Sequence, residues 1–200
     1  MTVAALVYPG CTLAEIVTAL TRLRSSGINV VFVAVDRAPF RDSSGLLITP
    51  DCEIRSIDVS TLSAIIVPGG DPGSIIGDES VRRLLREINS TCIIAGICAG
   101  VLVLADAGVL ASRHITHNYR SPWASEAIES FVAPLLDGTI VEDDRERGVV
   151  QDDMVITALP NAAAEFTVTI CTQLGALAPA QAPLLLRHIR GEFVNELFDD

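Results

Sequence analysis

Gly96-Ile97-Cys98-Ala99-Gly100 sets one cysteine between two glycines, inside the apolar run IIAGICAGVL that spans 93–102. A cysteine so placed has two readings. Free cysteine is among the most buried residue types, so it can be a packing thiol. The pattern is also that of a nucleophile elbow, whose sharp strand-to-helix turn strains the nucleophile and demands small flanking residues. Glycine makes up only about 7% of ordinary proteins, so flanking on both sides is a poor match to chance and the second reading is favoured. At a helix start the thiol would meet the positive end of the dipole, which predicts a lowered pKa and more thiolate.

Other groups could serve such a nucleophile. Gly69-Gly70, in VPGG, could cradle a phosphate, but GxGxxG is absent and the P-loop lysine is missing. A better use is an oxyanion pocket, with the N–H of Gly70 and that of Ala99 aimed at a developing alkoxide. Glu15 borders an apolar stripe on the first predicted helix. It is either a solvated carboxylate or, if it faces the strand ends, a proton shuttle beside Cys98 with a raised pKa. Of the three histidines, His188 sits in a C-terminal helix. His114 and His117 flank Ile115-Thr116, where a short strand would send alternate side chains to opposite faces and bring one of them to the site. A zinc site from Cys, His and Glu is poorly supported, because no ligands cluster.

The elements that must position these groups alternate. VAALVY (3–8) reads as a buried strand stopped by Pro9-Gly10, and 12–27 as an amphipathic helix capped by Thr12 and closed by Gly27. INVVFVAV (28–35), SAIIVPGG (63–70) and TCIIAGI (91–97) are further strands, with short ones near Leu46–Ile48 and Ile54. Helices follow over 78–88 and 98–108, and two more close the chain at about 161–175 and 179–189. The stretch 138–160 reads as an antiparallel addition. This alternation predicts one α/β domain over 1–200, a mostly parallel sheet with helices on both faces. Strands one, three and four end in YPGCTLAE, VPGGDPGS and GICAG, and open parallel sheets bind ligands beyond their carboxyl ends.

Composition narrows the chemistry. All 14 basic residues are arginine and the net charge is −11. Without lysine there is no Schiff base and no lysine-anchored pyridoxal phosphate. Without a basic stripe, nucleic acid and anionic membranes are poor partners. Five cysteines with no CxxC pair read as reduced thiols. The N-terminus lacks the basic region of a signal peptide, so a cytoplasmic protein is expected. The apolar stretch 93–111 is interrupted by Asp106 and reads as a buried strand and helix, not a membrane span.

Glu15, VPGG, AGICAG and THNY together resemble the ThiJ/PfpI superfamily, nearest the branch of the parkinsonism-associated deglycase ("DJ-one"), and the similarity runs over nearly the whole chain. The resemblance implies a flavodoxin-like three-layer sandwich, a homodimer and a nucleophilic Cys98. It implies Glu15 as that cysteine's protonated partner, Gly70 and Ala99 as oxyanion donors beside Gly69, and His117 as the family's histidine. It further implies conversion of small 2-oxoaldehydes such as methylglyoxal to 2-hydroxy acids without a cofactor, or removal of glyoxal adducts from amino groups. Departures from the pattern are Ser44 in place of an arginine, Asn118 in place of a proline, and the segments 121–138, 159–166 and 191–200. Two other readings use the same cysteine: a redox sensor or protective chaperone through Cys98 oxidation, and a cysteine hydrolase using His117. The amidotransferase pattern, histidine followed two residues later by glutamate, is absent from HIT, HNY and HIR. Isocyanide hydration would be expected to use an aspartate where Glu15 stands.

Overall fold

Val3, Ala4, Ala5 and Leu6 are all fully buried. A strand with no solvent face needs cover on both sides, which is what helices on the two faces of a parallel sheet provide. The fold, a computed structural model, describes residues 1–88, 90–142 and 147–194. In chain order the elements are β1 (Thr2–Leu6), α1 (Val17–Ser25), β2 (Asn29–Ala34), β3 (Phe40–Arg41), β4 (Leu47–Ile48) and β5 (Cys52–Glu53). Next come β6 (Leu62–Val67), α2 (Glu79–Glu87), β7 (Ile93–Ile97), α3 (Gly100–Asp106), β8 (His114–Ile115) and α4 (Glu126–Val132). The rest is β9 (Ile140–Val141), β10 (Val149–Asp152), β11 (Val155–Ala158), α5 (Ala163–Gln173) and α6 (Ala182–Ile189).

The main sheet runs β10-β11-β7-β6-β1-β2-β5, and every neighbouring pair but β10–β11 is parallel. It is the α/β, flavodoxin-like sandwich expected. Helix α1 packs on α5 and α5 on α6, while α3 covers β6 and β7. Asp106, the charge that interrupts the apolar stretch, ends α3 and clamps it to α2. Its carboxylate accepts from Arg82 Nε at 2.9 Å, Arg82 Nη2 at 2.6 Å and the Gly77 N–H at 2.8 Å. No helix of the described residues is long and apolar enough to cross a membrane.

Two expectations need correction. The stretch 138–160 is not a uniform antiparallel addition. Val155–Ala158 is buried along its length and lies parallel beside β7; only β10, reversed at Asp153 (φ +56°), runs antiparallel at the edge. β9 instead pairs in parallel with β8, in a sheet of its own, and Asp143 lies outside the described residues. Nor does the first helix begin at Thr12. Leu13–Glu15 is a 3-10 turn, α1 starts at Val17, and the Thr12 side chain caps nothing. The Thr12 N–H is taken by the Gly69 carbonyl at 2.8 Å and its hydroxyl meets Ser43 at 3.1 Å. Tertiary bonding wins over local capping here.

Candidate active site

Cys98 sits where β7 turns into α3, with φ +56°. That left-handed conformation is costly for a residue with a side chain and holds only where surroundings enforce it. The Cys98 N–H is tied to the Ala158 carbonyl of β11 at 3.0 Å, and its own carbonyl accepts from Val101. The flanking glycines are a packing requirement. A Cβ on Gly100 would stand 2.2 Å from the Val67 carbonyl oxygen, and one on Gly96 2.8 Å from Leu104 Cδ1. The spacing read as an elbow is one.

The glycine pair after β6 meets the elbow from the side. A Cβ on Gly69 would lie 2.5 Å from Cys98 Cβ, 2.8 Å from its Sγ and 2.7 Å from Glu15 Oε2. Gly70 (φ +111°) lies against the turn after β1, where a Cβ would come within 2.2 Å of the Gly10 carbonyl oxygen. Tyr8, fully buried, fixes this loop from below: its hydroxyl lies 2.7 Å from the Pro68 carbonyl and 2.8 Å from that of Gly69. Burial first, and then the charges of Cys11, Glu15 and Cys98, keep that phenol protonated.

Glu15 is half-buried in its 3-10 turn and faces the glycine pair after β6, so it is not a fully solvated carboxylate. Its Oε2 accepts the Gly69 N–H at 2.7 Å, and its carboxyl hydrogen-bonds to the Cys98 thiol. Burial raises its pKa, against the lowering effect of those two bonds. The thiol does not show the expected lowering. Burial and then the Glu15 charge push Cys98 up to about 11, and these outweigh N–H donation to the sulfur from Ala99 and Gly70. The effects are opposite in sign: the thiol favours the Glu15 carboxylate while that carboxylate disfavours the thiolate, so the sulfur keeps its proton through neutral pH.

The two histidines of the 114–117 segment separate as alternation requires. His114 is exposed and pairs with Glu142, Nδ1 to Oε1, at 2.6 Å. His117 is buried, and its Nδ1 accepts the Tyr119 N–H at 3.0 Å, which places its proton on Nε2. Burial, and secondarily the Arg120 charge, lower its pKa to about 4. The charges that act on it are those of Arg120 and Glu129, whereas the pKa of Tyr119, like that of Tyr8, is raised by Cys98 and Glu15 after burial. Sequence reasoning missed Tyr119, Tyr8 and the role of Thr157, whose hydroxyl accepts the Thr116 N–H at 2.9 Å. Tyr8, at a strand end before Pro-Gly, and Tyr119, within THNY, carried a signal, and Thr157 carried none.

Ser44 does not offer its hydroxyl to the elbow. It donates to Asp42 Oδ1 at 2.7 Å inside the β3–β4 hairpin, and Asp42 also accepts the N–H groups of Ser44 and Leu46. Asn118 keeps a buried amide oxygen without a hydrogen-bond partner among the described residues. A cleft of about 360 Å³ at the ends of β1 and β2 is lined by Tyr8, Pro9, Val35, Phe40 and Ile75; Cys98 and Glu15 are not in its wall.

A mostly parallel α/β sheet whose strand ends bring together a cysteine on a strained strand-to-helix turn, a carboxyl and a glycine loop defines the class of protein. Residues 1–173 match the model of the DJ-1/PfpI family, and the chain belongs to that family. It is 29% identical over 157 residues to the "Uncharacterized protease YoaZ" of Bacillus subtilis (strain 168), covering 78% of this chain and 70% of that protein. It is 28% identical over 163 residues to the "Glutathione-independent glyoxalase DJR-1.2" of Caenorhabditis elegans, covering 80% and 81%. In fold it is similar to the DJ-1 superfamily protein Atu0886 of Agrobacterium tumefaciens, with TM-score 0.80, 24% identity, and 95% and 98% of the two chains covered.

Proposed function

We propose that the protein is a cofactor-independent enzyme that converts methylglyoxal and related 2-oxoaldehydes to 2-hydroxy acids. The observation that carries this reading is the Glu15 carboxyl held against the Cys98 thiol by the Gly69 N–H. A base within reach of a carbon bonded to that sulfur is what moving a proton between adjacent carbons requires. The C. elegans relative named a glyoxalase supports it.

The thiolate forms as Glu15 takes the thiol proton, and its electron pair adds to the aldehyde carbon. The carbonyl π pair moves to oxygen, which the N–H groups of Ala99 and Gly70 hold as the proton returns from Glu15 to give a hemithioacetal. Glu15, now a carboxylate, removes the hydrogen from that carbon. The electrons form a double bond to the neighbouring carbon, whose oxygen becomes an enolate. Reprotonation of that carbon by Glu15, with the first hydroxyl proton passing to the enolate oxygen, leaves a 2-hydroxy thioester on Cys98. Water adds to the thioester, and the hydroxy acid departs as the sulfur regains its proton.

His117 is neutral and placed by Tyr119, so it frames the site instead of forming a thiolate–imidazolium pair, which disfavours the hydrolase reading. The burial that raises Cys98 likewise slows oxidation, since thiolate is the form peroxide attacks. The proposal includes a single domain that works as a cytoplasmic homodimer, with exposed Leu46 and Leu47 on the β3–β4 hairpin as apolar surface for a second copy. The test is cofactor-free formation of D- or L-lactate from methylglyoxal in the presence of a chelator and without added thiol. Lactate in proportion to methylglyoxal consumed supports the reading; consumption without lactate, or none, overturns it.

A further inference from the structure

A phenol in an apolar core costs free energy unless its hydroxyl is satisfied, and phenylalanine would fill the same space. Tyr8 is 1% exposed and stands just beyond β1. The backbone around it is anchored: the Val7 N–H donates to the Val33 carbonyl at 2.8 Å, and the Tyr8 carbonyl accepts the Cys11 N–H at 3.0 Å. The hydroxyl is therefore explained by its partners and not by packing.

Those partners lie 60 and 61 residues away, the Pro68 carbonyl at 2.7 Å and the Gly69 carbonyl at 2.8 Å. The Pro68 carbonyl and the Gly69 N–H belong to one planar trans peptide and point to opposite sides of it. On the far side that N–H donates to Glu15 Oε2 at 2.7 Å. Tyr8 and Glu15 thus hold the two ends of a single peptide. The next carbonyl, that of Gly69, accepts from both Tyr8 and the Thr12 N–H at 2.8 Å, so the segment cannot rotate without losing several bonds together. The same glycine lies against the elbow, where a Cβ on it would stand 2.5 Å from Cys98 Cβ. Donation to the carbonyl of a peptide also polarises it and strengthens its N–H as a donor.

We propose that Tyr8 is a positioning residue: through the Pro68–Gly69 peptide its hydroxyl aims the N–H that holds the Glu15 carboxyl in place. This rests on the reading that Glu15 moves protons at a carbon bonded to Cys98. Glu15 is base and acid in turn, and each exchange changes the charge that the Gly69 N–H faces. A peptide held from behind keeps the carboxyl in one place through both states, and its N–H favours the carboxylate. The ionisable groups that bear on Tyr8 are Cys11, Glu15, Cys98 and Tyr119, and the one that bears on Glu15 is Cys98.

Tyr8→Phe keeps the ring and removes the hydroxyl, and two readouts test it. The first is the titration of the Glu15 carboxyl by NMR of protein labelled at the glutamate carboxyl carbon, with the Glu15 signal assigned by its loss in Glu15→Gln. Its midpoint rises by about one pH unit, a tenfold change in ionisation constant and the scale of one hydrogen bond to a charged group. The second is turnover of methylglyoxal, in which kcat falls about tenfold with KM within twofold, because Tyr8 acts on Glu15 and not on the substrate. Ile170→Val, a truncation of the buried core on α5, lowers stability and leaves both readouts at wild-type values. In a wild type that turns over, an unchanged midpoint or an unchanged kcat in Tyr8→Phe, or the same shifts in Ile170→Val, overturn the assignment. A wild type without turnover, whose Glu15 midpoint still rises in Tyr8→Phe, overturns the reading of the reaction and upholds the hold of Tyr8 on Glu15.

Discussion

Replacing Gly69 by alanine puts one methyl group into the contact between thiol and carboxyl. The new Cβ would meet Cys98 Cβ at 2.5 Å, Glu15 Oε2 at 2.7 Å and Cys98 Sγ at 2.8 Å. Carbon atoms settle at about 3.5–4.0 Å, so roughly 1 Å has to be found. Gly69 is outside the left-handed region, so backbone strain is not the cause. Neither Cys98, fixed by its bond to Ala158, nor the Gly69–Thr12 bond behind the glycine can yield cheaply. The flexible Glu15 side chain swings away and loses the Gly69 N–H, while the contact with Cys98 Cβ is relieved only by a shift of the 68–70 loop away from the elbow. Misplacing a reacting group by about 1 Å costs on the order of 100-fold in rate. Overpacking costs about 1–3 kcal/mol, and at about 2–4 °C per kcal/mol for a chain of this size Tm falls by roughly 2–12 °C. Lactate formation and thermal unfolding are the assays. A Gly69→Ala protein that keeps a third of wild-type turnover and its Tm would refute the packing argument.

The strain at Cys98 predicts that Cys98→Gly is more stable than Cys98→Ala by about 1 kcal/mol, because only glycine adopts φ +56° without cost; denaturant midpoints decide it, and equal midpoints contradict it. His117 has a native pKa of about 4 against an ordinary 6.5, so the unfolded chain takes up its proton first. That stability is intact above pH 6.5 and is lost as pH falls toward 4, amounting to about 3 kcal/mol. The slope of urea stability between pH 6.5 and 4.5 flattens in His117→Asn, and an unchanged slope assigns the loss to other groups.

The strands and the elbow were legible because each has a simple physical signature. An unbroken apolar run marks a strand covered on both faces, and small residues around a nucleophile mark a turn that admits no Cβ. Glu15 was legible as a residue and not as a position. Whether it faced solvent or Cys98 depended on Gly69 and Gly70 docking 54 residues away in sequence, a contact that also removed Thr12 from its expected cap. The thiol pKa was misjudged for a related reason. A helix start is local and readable, whereas burial beside a carboxyl is a property of the assembled site. Tyr119 lies within THNY, but its bond and stacking to His117 are made by the folded turn and have no signature in the sequence.

The central claim is that Cys98 and Glu15 act together on a carbonyl substrate, and a side-by-side assay of lactate formation from methylglyoxal tests it most directly. Wild type, Cys98→Ser and Glu15→Gln are compared at equal concentration after confirming that each unfolds cooperatively. The account predicts turnover in wild type and less than about one hundredth of it in either variant, the scale expected when a nucleophile or a general base is removed. Full activity in Cys98→Ser, or more than a tenth of it in Glu15→Gln, would contradict the account.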